Sequence, residues 1–277
     1  ARLIVVAQLM VLLSLVGCAR LGNPEGWSKG TVVGEILYIG TMEGDLRALD
    51  INTGDTIWTF ELPGEDPQTR AIYGTPAVDV EGEMLYVGGY DGVLYALPLA
   101  PDETRGYVRQ IWDIRVGGGD HIVGSPVVAQ VEDRGVVLIG SSDGKLYAYD
   151  AADGTFQWSF PTGNKIWSTP AVANGIAYIG SLDHSIYAVN VTDGSDAWPS
   201  PFSAGGAFTA TPLIARGRVH VGAFDGVFYA IDAQTGSEVS RFEGASKWYW
   251  GGAIAVEDTV FAPSLDGNVY ALDIDTL

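Results

Sequence analysis

Six times the chain returns to a short apolar run built on a central alanine. The copies are Leu46-Arg47-Ala48-Leu49-Asp50, Leu94-Tyr95-Ala96-Leu97, Leu146-Tyr147-Ala148-Tyr149-Asp150, Ile186-Tyr187-Ala188-Val189-Asn190, Phe228-Tyr229-Ala230-Ile231-Asp232 and Val269-Tyr270-Ala271-Leu272-Asp273. The alanines lie 48, 52, 40, 42 and 41 residues apart. A period of that size marks repeated supersecondary units that bury their faces only by stacking on one another.

The third unit shows the internal pattern. Val127-Val128, Val136-Val137-Leu138-Ile139, the Leu146 run and Phe156-Gln157-Trp158-Ser159-Phe160 are four short apolar or alternating runs separated by turn residues. That is the signature of a four-stranded antiparallel meander. Asp143-Gly144 marks the hairpin between its second and third strands, because glycine supplies the positive φ that a tight turn demands. Asp91-Gly92, Asp225-Gly226 and Asp266-Gly267 repeat the signal, and Asp183-His184 varies it. A sheet of forty residues leaves two apolar faces to cover. Radial stacking around a channel covers both, so the expected fold is all-β, a β-propeller of four-stranded antiparallel blades; a linear solenoid of the same sheets is the alternative.

Composition agrees: 37 Gly, 11% aromatic and 18% charged residues describe a turn-rich, β-prone chain. The net charge of −19 comes without any basic run, which sets nucleic acid aside as a partner.

The run Ala48-Leu49-Asp50-Ile51-Asn52-Thr53-Gly54-Asp55-Thr56-Ile57-Trp58 resembles, residue for residue, the A-x-D-x-x-T-G-x-x-x-W pattern of the quinoprotein-like, tryptophan-docking propeller family. Copies ending at Trp158 and Trp198 carry Asp153 and Asp193 in place of the threonine, and the fifth has Ser240 in place of the tryptophan. The resemblance implies that Trp58, Trp112, Trp158 and Trp198 pack between blades and that the Asp and Thr side chains tie down the turn. The sixth repeat runs out at Asp275-Thr276-Leu277 before its last strand. About six blades are therefore expected, the last incomplete, in a fragment of a seven- or eight-bladed propeller.

Residues 3–16 are apolar except for Gln8 and Ser14, too short a stretch to span a bilayer but suited to a signal peptide. They lead into Leu15-Val16-Gly17-Cys18, which resembles a bacterial lipobox, and Cys18 is the single cysteine. The expected organisation is a lipoprotein signal peptide over 1–17, a lipidated tether over 18–30 and the propeller over 31–277. Because the chain begins with Ala, its natural start is expected upstream.

Catalytic motifs do not survive scrutiny. Gly140-Ser141-Ser142-Asp143-Gly144 fits G-x-S-x-G, but it spans a strand-to-strand hairpin, whereas a nucleophile elbow needs a strand leading into a helix. His121, His184 and His220 lie in different repeats without metal-ligand spacing. The Asp50–Asp55 turn has the look of a calcium loop, but its twelfth position, Glu61, falls inside the next strand. No catalytic residue, metal ligand or cofactor is assigned.

A binding face is more legible. The loops approaching each first strand, ahead of Pro76, Pro126, Pro170 and Pro212, share one rim with the Asp-Gly hairpins. They carry Arg70, Tyr73, His121, Lys165, Trp167 and Phe208, and the sixth carries Lys247, Trp248 and Trp250. Aromatics and cations so placed form a candidate binding rim. On the opposite side, the turn of the second repeat is enlarged by residues 98–106.

The expected function is a non-catalytic, lipid-anchored propeller that binds proteins or peptides at the cell envelope, exported and held at the outer face of the cell membrane or in the periplasm or outer membrane. This follows from similarity to the propeller lipoproteins of outer-membrane β-barrel assembly. The rival is a fragment of a dehydrogenase that holds pyrroloquinoline quinone and calcium, although its adjacent-cysteine pair is impossible with one cysteine. An extracytoplasmic ligand-sensing module is the third reading.

Overall fold

The computed structural model describes residues 28–64, 69–101 and 108–277. The signal segment, Cys18 and most of the tether lie outside these residues, as does most of the enlarged turn of the second repeat.

The described chain forms five four-stranded antiparallel sheets and one three-stranded sheet, each an up-and-down meander of consecutive strands. The blades span residues 31–61, 77–115, 127–161, 171–203, 213–242 and 254–273. In the third blade the strands are Val127–Val131, Arg134–Gly140, Lys145–Asp150 and Phe156–Pro161. The alanine of each third strand pairs with the residue at the middle of the second strand, and in the first three blades also with the tryptophan of the fourth: Leu138↔Ala148↔Trp158 in this blade, Tyr38↔Ala48↔Trp58 in the first. Just beyond the alanine the register shifts by one residue, a bulge that recurs in the first, third and fifth blades and strengthens the local twist.

The sheets stack face to face, and the core lies between them rather than at one centre. One cluster joins Leu46, Trp58 and Phe60 of the first blade to Leu85, Val87 and Leu97 of the second. Another joins Leu138, Leu146 and Trp158 of the third to Ile179 and Val189 of the fourth. The six sheets do not close into a ring, and the sixth leaves Ile254, Val256 and Val269 exposed.

The turn chemistry is local and repeated. Asp50 Oδ1 accepts the backbone N–H groups of Asn52 and Thr53 at 2.8 and 2.9 Å, and Thr53 Oγ1 accepts that of Asp55. In the third and fourth blades Asp153 and Asp193 take the threonine's part by accepting from Thr155 and Ser195. These bonds are made within the turn itself, which is why a sequence motif can specify them.

At each Asp-Gly hairpin, and at Asp183-His184, the aspartate also receives a tyrosine hydroxyl four residues on. Tyr95 donates to Asp91 at 2.6 Å, Tyr187 to Asp183 at 2.7 Å and Tyr229 to Asp225 at 2.7 Å. Burial, reinforced by this bond, pushes the Tyr187 hydroxyl up to about 12, so it remains a donor at any physiological pH. His184 occupies the glycine position of its hairpin at φ 72°, a conformation that a side chain resists.

Candidate binding face at the channel mouth

The loop approaching each blade is held between that blade and the one before it. Its buried residue, four places before the proline, sits on a glycine closing the previous blade's second strand. A Cβ on Gly40 would lie 2.3 Å from Ile72, one on Gly88 2.5 Å from Ile122, one on Gly140 2.4 Å from Ile166, one on Gly180 2.6 Å from Phe208 and one on Gly222 2.3 Å from Tyr249. Only glycine permits this approach. The N–H of the same residue donates to the previous hairpin, as Ile166 to Ser141 and Phe208 to Ser181. The carbonyl before it accepts from the next hairpin, as Lys165 from Leu182 and Ala207 from Phe224.

This frame decides which candidate rim residues face outward. His121, Lys165, Lys247, Trp248 and Trp250 are exposed, and Arg70, Tyr73 and Trp167 are half-buried. Phe208 is 0% exposed, which removes it from the rim surface: it holds the wedge position of Ile72 and Ile166, and its neighbour Thr209 stands where the outward-facing Tyr73 and Trp167 stand. The spacing to Pro212 already carries that distinction.

The aromatics form two groups. On one side, His121 stacks on Tyr90 at 3.9 Å and 7°, and its Nδ1 donates to the Tyr90 carbonyl at 2.6 Å; Tyr73 meets Tyr90 edge-on at 5.1 Å. Burial, with Tyr90 alongside, raises the Tyr73 phenol above its ordinary value and keeps it a neutral donor. On the other side, Phe224 lies between Trp248 at 5.2 Å and Trp250 at 5.6 Å, both nearly parallel to it. Trp250 meets Trp167 at 6.4 Å and 53°, Trp167 donates through Nε1 to Ser142 Oγ at 3.1 Å, and Lys165 Nζ sits 5.9 Å above the Trp167 ring. Arg70 packs beside Gly44 of the first hairpin, and Lys247 makes no ring contact among the described residues.

Tyr90 and Phe224 were not singled out from the sequence. Both immediately precede a hairpin Asp-Gly pair, so the repeat alignment that located the loops could have located them.

Between the two groups opens a cavity of about 370 Å³. It is lined by aromatic rings, hydroxyls and glycines from all six blades, and its one charged lining residue is Lys29. No group of His, Cys, Asp or Glu among the described residues is arranged to hold a metal. With no carboxylate in the lining and with Trp167 and Trp250 meeting at 53° rather than as parallel plates, the cavity does not fit a quinone and calcium pair.

A family model described as outer membrane protein assembly factor BamB matches residues 22–112, 100–207 and 199–276. No curated protein matches the chain. Among solved structures, the crystal structure of the computationally designed Ika8 protein superposes with a TM-score of 0.71 at 16% identity, covering 89% of this chain and 70% of that one. The crystal structure of BamB from Moraxella catarrhalis superposes with a TM-score of 0.69 at 18% identity, covering 91% of this chain and 74% of that one. At these identities the superpositions establish the shared fold.

Proposed function

The chain belongs to the family described as outer membrane protein assembly factor BamB, and from that premise we propose that it is a non-catalytic scaffold of the cell envelope whose channel-mouth face binds segments of other exported proteins. The observation that carries this reading is the stack of Trp248, Phe224 and Trp250. Two of its three rings are exposed, at 52% and 37%. Tryptophans held rigid by stacking and left open to solvent match the anchors that dominate protein interfaces. Lys165 and Lys247 near them give an otherwise acidic protein a locally cationic margin.

The anchor belongs to the same proposal. Acylation of Cys18 would hold the scaffold at a membrane, since each buried methylene contributes ~0.8 kcal/mol and two or three chains suffice. Cys18→Ser is expected to move the full-length protein from the membrane to the soluble fraction. An unchanged distribution would remove the anchor from the proposal.

The binding face is tested by a photo-crosslinking residue placed at position 248 in the full-length protein in cells. Crosslinks to exported proteins are expected there, and none from position 156, which is equally exposed at the outer perimeter. Equal crosslinking from both positions, or none from 248, would overturn the reading. The rival dehydrogenase finds no support in a cavity whose lining lacks a calcium-binding carboxylate.

A further inference from the structure

The six blades each place one residue at the same register on the channel, two positions before the residue that pairs with the middle of the second strand. These residues are Lys29, Thr75, Ser125, Thr169, Thr211 and Gly252, and all six line the cavity. The six positions therefore offer one ammonium, four hydroxyls and a gap.

Two of the hydroxyls are oriented by the backbone. Ser125 Oγ accepts the N–H of Thr75 at 2.8 Å, and Thr169 Oγ1 accepts the N–H of Ser125 at 2.9 Å. With an oxygen lone pair so occupied, each hydroxyl has its proton to donate. The set is thus biased toward donors, and it needs a ligand rich in acceptors. Charge narrows the class further. Lys29 forms no ion pair with any described residue, although the chain as a whole carries a net charge of −19. Lys29 is exposed at the edge of the cavity, so its ammonium stays solvated until a ligand covers it; a monoanion compensates it then, whereas a neutral ligand does not and a dianion exceeds it.

The walls set the shape. Trp167 and Trp250 meet at 53° and 6.4 Å, which makes a V rather than a slot. A flat ring cannot stack on both faces; a thick saturated ring or a branched side chain can touch both.

We propose that the channel mouth binds a single carboxylate borne on a non-planar apolar body, with the carboxylate on Lys29 and the Ser125 and Thr169 hydroxyls and the body in the Trp167–Trp250 angle. Two sources supply that chemistry: a uronic-acid sugar, and the C-terminal residue of a peptide. The inference rests on reading the channel mouth as a binding face, but it is read on the isolated chain. Missing crosslinks from position 248 would count against the scaffold and leave this titration standing.

The test follows tryptophan fluorescence of the purified full chain during titration with digalacturonate and, separately, with an N-acetylated tripeptide ending in leucine. Each is paired with its methyl ester or amide. Saturable binding of one acid, at least tenfold tighter than its neutral analogue, is expected and identifies the source. Lys29→Met is expected to abolish the preference for the acid with the thermal transition unchanged, and Thr169→Val to weaken the acid several-fold more than its neutral analogue, with a lowered thermal transition because the Ser125 N–H loses its acceptor. Trp167→Ala is expected to weaken acid and neutral analogue alike. Binding of neither acid, or a neutral analogue that binds as tightly as its acid, would overturn the proposal.

Discussion

The seam between the third and fourth blades and the seam between the fifth and sixth share a backbone arrangement and differ in their side chains. In the first, Trp158 lies against Gly194 of the next turn, where a Cβ would come 2.6 Å from the indole, and its Nε1 donates to the Val191 carbonyl at 2.9 Å. The flanking seams follow the same plan: Trp112 on Gly154 and the Ala151 carbonyl, Trp198 on Gly236 and the Ala233 carbonyl. In the latter two a tyrosine of the second strand donates to that same carbonyl, Tyr86 to Ala151 and Tyr178 to Ala233.

At the seam between blades five and six, Ser240 replaces the tryptophan, His220 the tyrosine and Leu277 the turn glycine. Leu277 is held at φ 60°, so its side chain stands where an indole would pack. Ser240 Oγ and both ring nitrogens of His220 are buried without a hydrogen-bond partner among the described residues. Arginines do the joining instead: Arg216 pairs with Asp258 and Asp275, and Arg218 donates to the Ile274 carbonyl. A docked indole removes roughly 200 Å² from water, about 5 kcal/mol at most, whereas exposed ion pairs contribute about 0–1 kcal/mol each. Removing the tryptophan therefore removes the glycine's reason as well, and the seam becomes polar and weaker.

The contrast can be broken most forcefully at its strong side. Trp158→Ala is expected to cost about 3–5 kcal/mol in denaturant unfolding, since it opens a large cavity and strands the Val191 carbonyl. Gly194→Ala tests the other half of the contact. A Cβ driven into the indole at a positive φ is expected to cost about 1–3 kcal/mol, and the double variant should cost less than the sum.

The weak side is sharpened by pH. Burial first, then the nearby Arg218 charge, lower the His220 pKa to about 4 from its ordinary value of 6.5. Above pH 6.5 the ring is neutral in both folded and unfolded chains and contributes no pH dependence. Between pH 6.5 and about 4 the unfolded chain takes up a proton that the folded chain refuses, so stability falls as pH falls, by about 1–3 kcal/mol in all. His220→Tyr is expected to remove this acid dependence from the unfolding curve and to raise stability at neutral pH by about 1 kcal/mol, by supplying the missing donor to the next turn. An acid limb unchanged in the variant would assign the effect elsewhere.

The smallest effect lies in the hairpins. His184→Gly relieves a positive φ that Gly92, Gly144, Gly226 and Gly267 occupy without strain. It is expected to change stability by less than about 1 kcal/mol in either direction, because glycine also loosens the unfolded chain.

The fold was legible because its determinants repeat and act locally. Asp50, Thr53 and Gly54 specify a turn through bonds made within six residues, and the alternation around Ala148 specifies a strand. The rim was half legible. The spacing to Pro126 and Pro170 located His121 and Lys165, but the outward or inward direction of each position depends on what lies across the seam. Phe208 was read as rim when Gly180 receives it as core. Tyr90 and Phe224 went unread because they reach the channel from a hairpin rather than from the approaching loop.

The sequence by itself determined the blade, its turns and the number of copies, since hydrogen bonds between near neighbours and alternation along a strand are properties of short segments. Tertiary structure alone decided how the copies meet. Trp58 shows it: it fits the motif as well as Trp158 does, yet its buried Nε1 has no hydrogen-bond partner among the described residues. The carbonyl of Leu99, which lies beyond the second blade's third strand, accepts from Tyr38. Whether an indole finds a glycine and a carbonyl depends on the turn of another repeat some forty residues away, and no pattern within its own repeat can supply that.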